Sequence, residues 1–567
     1  MPSRLAEIGR KNPALSGPWA WVGLLSALAV LLRLVGLDYG LPQVFNSDEP
    51  HLVNLAVSFG GGSLRPYLFK YPTLWPYVLF FSYGMYFLAW SAFGLRHTVS
   101  DFVGLFAWDP SGFYLLGRLL ASIFSLLGVW VVWRTCRLRQ AAAWPWAALL
   151  LFFSPVIVEL AHSCKPDCLM FFLAALGWYF GLRLYFQGDR RSYWACGAFF
   201  GLAVSTQYTA LPALVLLPLA HFLGQRPGPR RWLGEGLAAA AAGFFLGSPY
   251  ILVDLGRFGD NLRDMAHYNA LLPLDRPEVI RQILRNLWSF SGGGSLAGAA
   301  ALLGLGRLLA TRRRLAAVLV GPILVDALIL SRSPDGGWAR YLLGCFPGLA
   351  LLAAEGLAWA ASWRKGFWPF FLAGGALLPG LMESGQYVRS LRLADTRSAS
   401  TAWMLEHVPQ GSVVLLDLPH ASPRLPMIRE QVEQLALRTR QAGSPRRRLF
   451  EGMAAAHPGG GYRIYRVQRS AKDLHSYPQH VQLSQADDFF LELRSGIAPA
   501  RALGVEYVVT STFGATPQRA PELSVFFAQL ESSARLVKSW EPAPGKTVGP
   551  FLRLYRLQPP PAASGRG

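Results

Sequence analysis

The sequence predicts a polytopic α-helical membrane protein that ends in a soluble α/β domain. Three observations carry that expectation. Hydrophobic residues make up 52% of the 567 positions and charged residues only 15%, and the mean hydropathy is +0.29. An ordinary soluble chain carries about 25% charged residues, so the shortfall must be concentrated in long uncharged runs. After Gly380 the composition changes to polar, proline-containing stretches with short β-type runs. A disordered chain, a fibrous chain and an ordinary cytosolic enzyme are excluded by the same numbers.

The 54 Lys and Arg residues outnumber 33 Asp and Glu, for a net charge of +21. Such an excess raises nucleic acid as a partner, but no nucleic-acid motif is present and the placement argues against it. The basic residues sit in short clusters between apolar runs, such as Arg134, Arg137 and Arg139, or Arg312 to Arg314, where the positive-inside rule puts them. The five cysteines all lie in the hydrophobic part and form no C-x-x-C pair, which suggests neither a disulfide framework nor a zinc site.

The first apolar run, Trp19 to Leu37, follows Arg4, Arg10 and Lys11 and lacks a small-x-small cleavage site, so it reads as a retained span with its N-terminus inside. Further runs start near residues 112, 141, 168, 193, 208, 233, 292, 315, 341 and 366, giving about eleven spans of about 20 residues each. The clusters at 134–139, 190–191, 226–231, 312–314 and 364–365 then fall on alternate, cytoplasmic loops. Leu74 to Leu95 breaks this parity. It lies along the membrane or forms a hairpin with Phe102 to Trp108.

Residues 1–390 are therefore expected as a transmembrane domain, 391–558 as an extracytoplasmic α/β domain and 559–567 as a disordered tail. Within the α/β domain the β-type runs are Ser412 to Asp417, Val505 to Ser511 and Phe551 to Leu557, and helical patterns cover Met427 to Gln441 and Glu522 to Glu531. Pro458-Gly459-Gly460-Gly461 reads as a turn, because it lacks the Lys-Ser/Thr ending of a phosphate loop.

Ionisable residues at a membrane boundary are costly unless used or paired, so the external loops hold the candidate chemistry. The first contains Asp48-Glu49-Pro50-His51 and, about twenty residues on, Lys70-Tyr71-Pro72. Adjacent carboxylates and a later lysine suit a base and a cation around a charged substrate. Equally, Asp48 and Glu49 suit the cap of the following helix. The second loop runs from Glu159 through His162 and Lys165 to Asp167, and its plain reading is a polar turn capped by Asp167. A third end holds Gln207 and Tyr208, and a fourth opens Arg340-Tyr341 directly into an apolar span. An arginine there either snorkels or grips a phosphate oxygen. The stretch Asp254 to Phe290 reads as amphipathic helix over the membrane surface.

Asp48-Glu49, Lys70-Tyr71-Pro72, Gly117-Arg118-Leu119, His162 with Asp167, Gly201-Leu202-Ala203 with Thr206-Gln207-Tyr208, and Arg340-Tyr341 stand in an order that resembles the GT-C glycosyltransferases. The branch it is most similar to holds the dolichyl-phosphate-mannose protein mannosyltransferases and the bacterial lipid A aminoarabinose transferases. The resemblance covers roughly residues 18 to 390 and rests on order and topology rather than on any single motif.

The resemblance implies a GT-C-like fold and inverting transfer of a sugar from a polyprenyl-phosphate donor to a lipid, glycan or protein hydroxyl at the outer face of the inner membrane. It implies Asp48 as the base with Glu49 beside it, and Lys70, Arg118, Arg340 and Tyr341 at the donor phosphate. His51, His162, Lys165, Asp167, Gln207 and Tyr208 are then candidates for substrate binding. No metal ligand set and no cofactor is implied, a divalent metal is left open, and the partners are membrane lipids and not nucleic acid. Two departures stand out. Gln207 takes a place where the family often has Lys, and Lys70-Tyr71-Pro72 replaces Lys-Pro-Pro. The competing class is a transporter or flippase of a lipid-linked or anionic solute, which usually shows repeated halves not seen here.

Overall fold

The computed structural model describes residues 18–94, 98–139, 144–271, 274–364, 366–443, 446–468, 489–518 and 520–558. The expected tail at 559–567, the first basic residues and Lys365 lie outside them. The chain divides into two compact units, one of residues 1–37, 68–75 and 117–388, the other of residues 38–67, 76–116 and 389–567.

The first unit is a helical bundle. Its helices include Pro18–Leu34, Trp144–Phe152 continued by Pro155–Ala161, Asp167–Gln187, Arg190–Thr206, Tyr208–Val215 continued by Leu216–Leu223, Arg230–Gly247, Ala297–Thr311, Arg313–Leu330, Ala339–Cys345 continued by Phe346–Ala361, and most of Trp368–Leu391. The expected starts near 168, 193, 208, 233, 315 and 341 fall on them, those near 292 and 366 fall two to five residues ahead of a helix, and 141 lies outside the described residues. The helix Ser111–Cys136 begins in the second unit and continues in the first. Among the described residues, three helical stretches are by themselves long and apolar enough to cross a bilayer: Ser111–Cys136, Asp167–Gln187 and Ala339–Ala361. Several other apolar helices are shorter, and Ser154-Pro155 interrupts one at a proline that supplies no N–H.

Helix packing in this unit relies on small residues. Arg190–Thr206 lies against Arg230–Gly247, and Cβ atoms on Gly197 and Gly201 would collide with the carbonyls of Gly236 and Ala240. Ala297–Thr311 and Phe346–Ala361 meet the same way through Gly304 and Gly356. Such approach brings the backbones themselves into van der Waals contact, which side chains facing lipid-like apolar surroundings cannot replace. The buried Arg33 is bound to Ser125 Oγ at 2.8 Å and to the carbonyls of Ala29 and Phe152, so it ties three helices together.

In the second unit, Leu74–Phe93 turns back on Val99–Trp108, with Tyr86, Phe87 and Trp90 packed on Phe102. The hairpin reading of this segment is the one realised. Val99–Trp108 opens with a full capping box between Thr98 and Asp101 and packs on the helix Arg447–Ala455, where Trp108 Nε1 donates to Met453 O at 3.0 Å.

The strands of this unit are β1 at Ala394–Asp395, β2 at Val413–Leu416, β3 at Arg463–Gln468, β4 at Phe490–Glu492, β5 at Tyr507–Ser511, β6 at Ala534–Trp540, β7 at Thr547–Val548 and β8 at Leu552–Leu557. The short strands β1 and β7 pair with each other, and the rest form one sheet in the order β4-β3-β2-β5-β8-β6. Strands β2 to β5 are parallel, while β8 runs antiparallel to β5 and β6. Alternate residues enter two cores: Leu415 and Val508 pack with Phe526 and Leu530, and Val414, Leu416 and Val509 pack with Met404 and Leu425. Burial on both faces explains the unbroken apolar runs of β2 and β5. Gly459, Gly460 and Gly461 all have positive φ and form the turn entering β3.

Candidate functional site

In the helical unit, four short segments converge at one end: Pro155–Ala161, the start of Asp167–Gln187, Tyr208–Val215 and Ala339–Cys345. They bring together Glu159, Lys165, Asp167 and Arg340. Lys165, Arg340 and Asp167 all act electrostatically on the Glu159 carboxyl. Lys165 is buried in the turn, where its N–H bonds Ser163 O at 2.7 Å.

Asp167 is the first residue of its helix, the N-cap position belongs to Pro166, and no side-chain cap is formed. The plain reading of Asp167 as a cap is therefore not realised. Its Oδ1 and Gln207 Oε1 are both buried without a hydrogen-bond partner among the described residues. Buried polar atoms are normally paired, so these two acceptors are available to water or to a ligand. Gln207 sits in extended conformation between two helices, which directs its side chain out of the helical run.

Arg340 is half-buried, with its guanidinium 5.1 Å from the Tyr341 ring and Nη2 bonded to Tyr341 Oη at 3.3 Å. The preceding loop is fixed by Asn286, whose Nδ2 donates to Gly337 O at 2.6 Å from the amphipathic helix Arg276–Trp288.

Lys70 is exposed on an irregular, bent segment pinned on both sides. Phe69 N donates to Asn261 Oδ1 at 2.7 Å, Tyr208 Oη donates to Phe69 O at 3.0 Å, and Thr73 bonds Ser248 Oγ and Gly247 O. Tyr71 in place of proline thus leaves the backbone around Lys70 fixed. Tyr208, a candidate for substrate binding, holds this segment, and Asn261 and Ser248 share that work. The sequence signal for Asn261 was only a polar residue on an amphipathic helix.

Arg118 is fully buried with Nη1 on Leu37 O at 2.7 Å. His162 directs Nδ1 at Val158 O, 2.8 Å, and Nε2 at Val35 O, 3.0 Å. Burial above all, with Arg33 and Arg118 adding to it, holds this imidazole below its ordinary pKa against the two carbonyls that raise it. A neutral ring has one N–H and donates to one of these two carbonyls at a time, so His162 ties its turn either to Pro155–Ala161 or to the residue just past the first helix.

In the second unit, Asp48 precedes the helix Glu49–Ser58 with φ −84° and ψ −29° and makes no side-chain cap bond. A capping side chain needs an extended backbone to reach the N–H groups of the first turn, and Pro50 has no N–H to offer. Asp48 N bonds Asn46 Oδ1 at 2.9 Å and its side chain is half-buried, whereas Glu49 is fully buried. The two adjacent carboxylates are thereby separated: Asp48 is accessible and Glu49 is not. His51 faces a cavity whose wall includes neither of them. Among the described residues no group of three His, Cys, Asp or Glu side chains is arranged to hold a metal ion.

Residues 115–251, less than half of the chain, match a family model described as dolichyl-phosphate-mannose-protein mannosyltransferase. No curated protein sequence matches the chain. Among solved structures, ArnT from Cupriavidus metallidurans bound to undecaprenyl phosphate aligns at 14% identity and a TM-score of 0.54, covering 95% of this chain and 98% of its own. The apo state of the same protein aligns at 14% identity and 0.53, covering 94% and 97%. The helical fold of ArnT therefore extends along nearly the whole length of this chain. The chain is thus similar to the dolichyl-phosphate-mannose-protein mannosyltransferases over residues 115–251 and to ArnT in fold, in line with the resemblance carried by the motifs.

Proposed function

We propose that this protein is an inverting glycosyltransferase that moves a sugar from a polyprenyl-phosphate donor to an acceptor hydroxyl at the extracytoplasmic face of the inner membrane. The observation that carries the reading is the group of Lys165, Arg340, Asp167 and Gln207 at one end of the bundle, with two unpartnered buried acceptors, in a fold shared with an ArnT structure that holds undecaprenyl phosphate. In this reading Asp48 takes the proton of the acceptor hydroxyl as it attacks the anomeric carbon. Glu49, fully buried beside it in sequence, is the second carboxylate of this catalytic pair. Lys70, Arg340 and Tyr341 bind the departing lipid phosphate, and Arg118 adds positive potential from its buried place. Lys165 supplies the cation that Gln207 does not, and Asp167 and Gln207 bind sugar hydroxyls. The catalytic domain is residues 1–390, and residues 391–558 form the extracytoplasmic domain.

Two measurements test this. A reporter fused after Ser390 is expected to be active outside the cytoplasm only, and cytoplasmic labelling at that point would reverse the orientation. A snorkelling arginine needs only charge, whereas a bidentate phosphate contact needs the planar guanidinium. Arg340→Lys is therefore expected to weaken binding of undecaprenyl phosphate by roughly 1 to 3 kcal/mol, the scale of a charge-assisted hydrogen bond, with thermal stability unchanged. Equal affinity of the two proteins in a titration would return Arg340 to an interfacial anchor.

A further inference from the structure

The second unit encloses a cavity of about 720 Å³, within the size range of small-ligand sites. It lies inside that unit and is independent of the residues assigned to sugar transfer in the helical bundle. Trp108, Leu405, Met427 and Met453 give it an apolar side, and Asn54, His420, Arg424 and Arg466 give it a polar side. Among the described residues no Asp or Glu stands on the wall.

Three polar groups on that wall are incompletely used. Asn54 is fully buried, and neither its amide nitrogen nor its amide oxygen has a hydrogen-bond partner among the described residues. Arg466 donates from Nη1 to Asp417 O at 2.6 Å, while its Nε has no acceptor among the described residues. Burial lowers the Arg466 guanidinium to about 10, with Asp417 acting in the opposite direction, so it is charged at neutral pH. Among the described residues the Arg424 guanidinium bonds the neutral carbonyls of Pro42, Ala107 and Trp108, and Asp109, off the wall, and Tyr114, on it, act on it electrostatically. Carbonyls satisfy the N–H groups of a guanidinium but do not balance its charge.

We propose that this cavity binds an anionic amphiphile, with a phosphate or carboxylate headgroup on Arg424, Arg466 and Asn54 and an apolar body against Trp108, Leu405, Met427 and Met453. The headgroup accepts from Arg466 Nε and Asn54 Nδ2, the two donors without partners. Flexible methionines accommodate an irregular chain. Asp48 and Glu49 are not on the wall, although Ser47, Pro50 and His51 beside them are.

The test uses the full chain purified in an uncharged detergent and a dodecyl phosphate that carries a photoreactive diazirine on its alkyl chain. Cross-links are expected on peptides containing Leu405, Met427 or Met453, displaced by plain dodecyl phosphate and not by dodecanol or inorganic phosphate at the same concentration. Arg466→Gln and, separately, Asn54→Leu are expected to reduce that labelling by about tenfold or more, the worth of a charged hydrogen bond, and Arg340→Lys to leave it unchanged. Cross-links confined to residues 117–388, or equal displacement by dodecanol, would overturn the proposal in the unaltered protein. So would labelling that persists in folded Arg466→Gln and Asn54→Leu proteins.

Discussion

Asp48→Asn is expected to lower sugar transfer by roughly 10²- to 10⁴-fold, the usual worth of a positioned general base, with the folded yield unchanged. The amide keeps the shape of the carboxylate and removes its basicity. Asp48 makes no capping bond and its backbone is already helical, so the substitution removes no cap. Glu49→Gln is expected to cost less in transfer and more in folded yield, since it alters a fully buried side chain. Rates measured with polyprenyl-phosphate sugars extracted from cells, beside size-exclusion profiles of each protein, separate the two effects. Near-native transfer by Asp48→Asn would remove Asp48 from the chemistry.

The largest effect on stability is expected at Gly201. A Cβ there meets the Ala240 backbone carbonyl, and the neighbouring Gly197 meets that of Gly236. Backbone cannot rotate aside as a side chain does, so Gly201→Leu must separate the helices Arg190–Thr206 and Arg230–Gly247 along their length. Overpacking of this kind costs about 3 kcal/mol or more when no relief is available. The control is on the second helix of the same pair: a Cβ at Gly234 would have nothing within 4 Å, and Gly234→Ala is expected to leave the melting of the purified protein unchanged. Equal melting of Gly201→Leu and the unaltered chain would show that the pair is not held by backbone contact.

Most of the fold is legible in the sequence because the signals are local. Apolar runs mark the helices of the bundle, and the runs at 412–417, 505–511 and 551–557 mark β2, β5 and β8. Strand β3, Arg463–Gln468, is hidden, because Arg463 and Arg466 interrupt the apolar pattern that a central parallel strand normally shows. Its register between β2 and β4 depends on partners distant in sequence. Strand β6 is hidden for a different reason. It pairs only with β8 and exposes Leu536 and Val537, so burial imposes little pattern on it.

The candidate site is legible in its charges and not in its bonds. Asp48 and Asp167 each stand at a plausible cap position, and only backbone geometry shows that neither caps its helix. His162 and Tyr208 have the residue types of substrate ligands, yet their partners are the carbonyls of Val158 and Val35 and of Phe69. Those contacts join residues up to 139 positions apart, beyond the reach of any local pattern. Ser248 and Asn286, which with Asn261 fix the segments carrying Lys70 and Arg340, give no local signal of those contacts for the same reason.

The central claim, transfer from a polyprenyl-phosphate donor with Asp48 as base, is tested most directly by mass spectrometry of lipid and envelope-glycan extracts from cells carrying either the unaltered chain or Asp48→Asn at equal protein level. The account predicts that the Asp48→Asn cells accumulate one polyprenyl-phosphate sugar and lose the same monosaccharide from an envelope lipid, glycan or protein. Identical extracts from the two strains would contradict it.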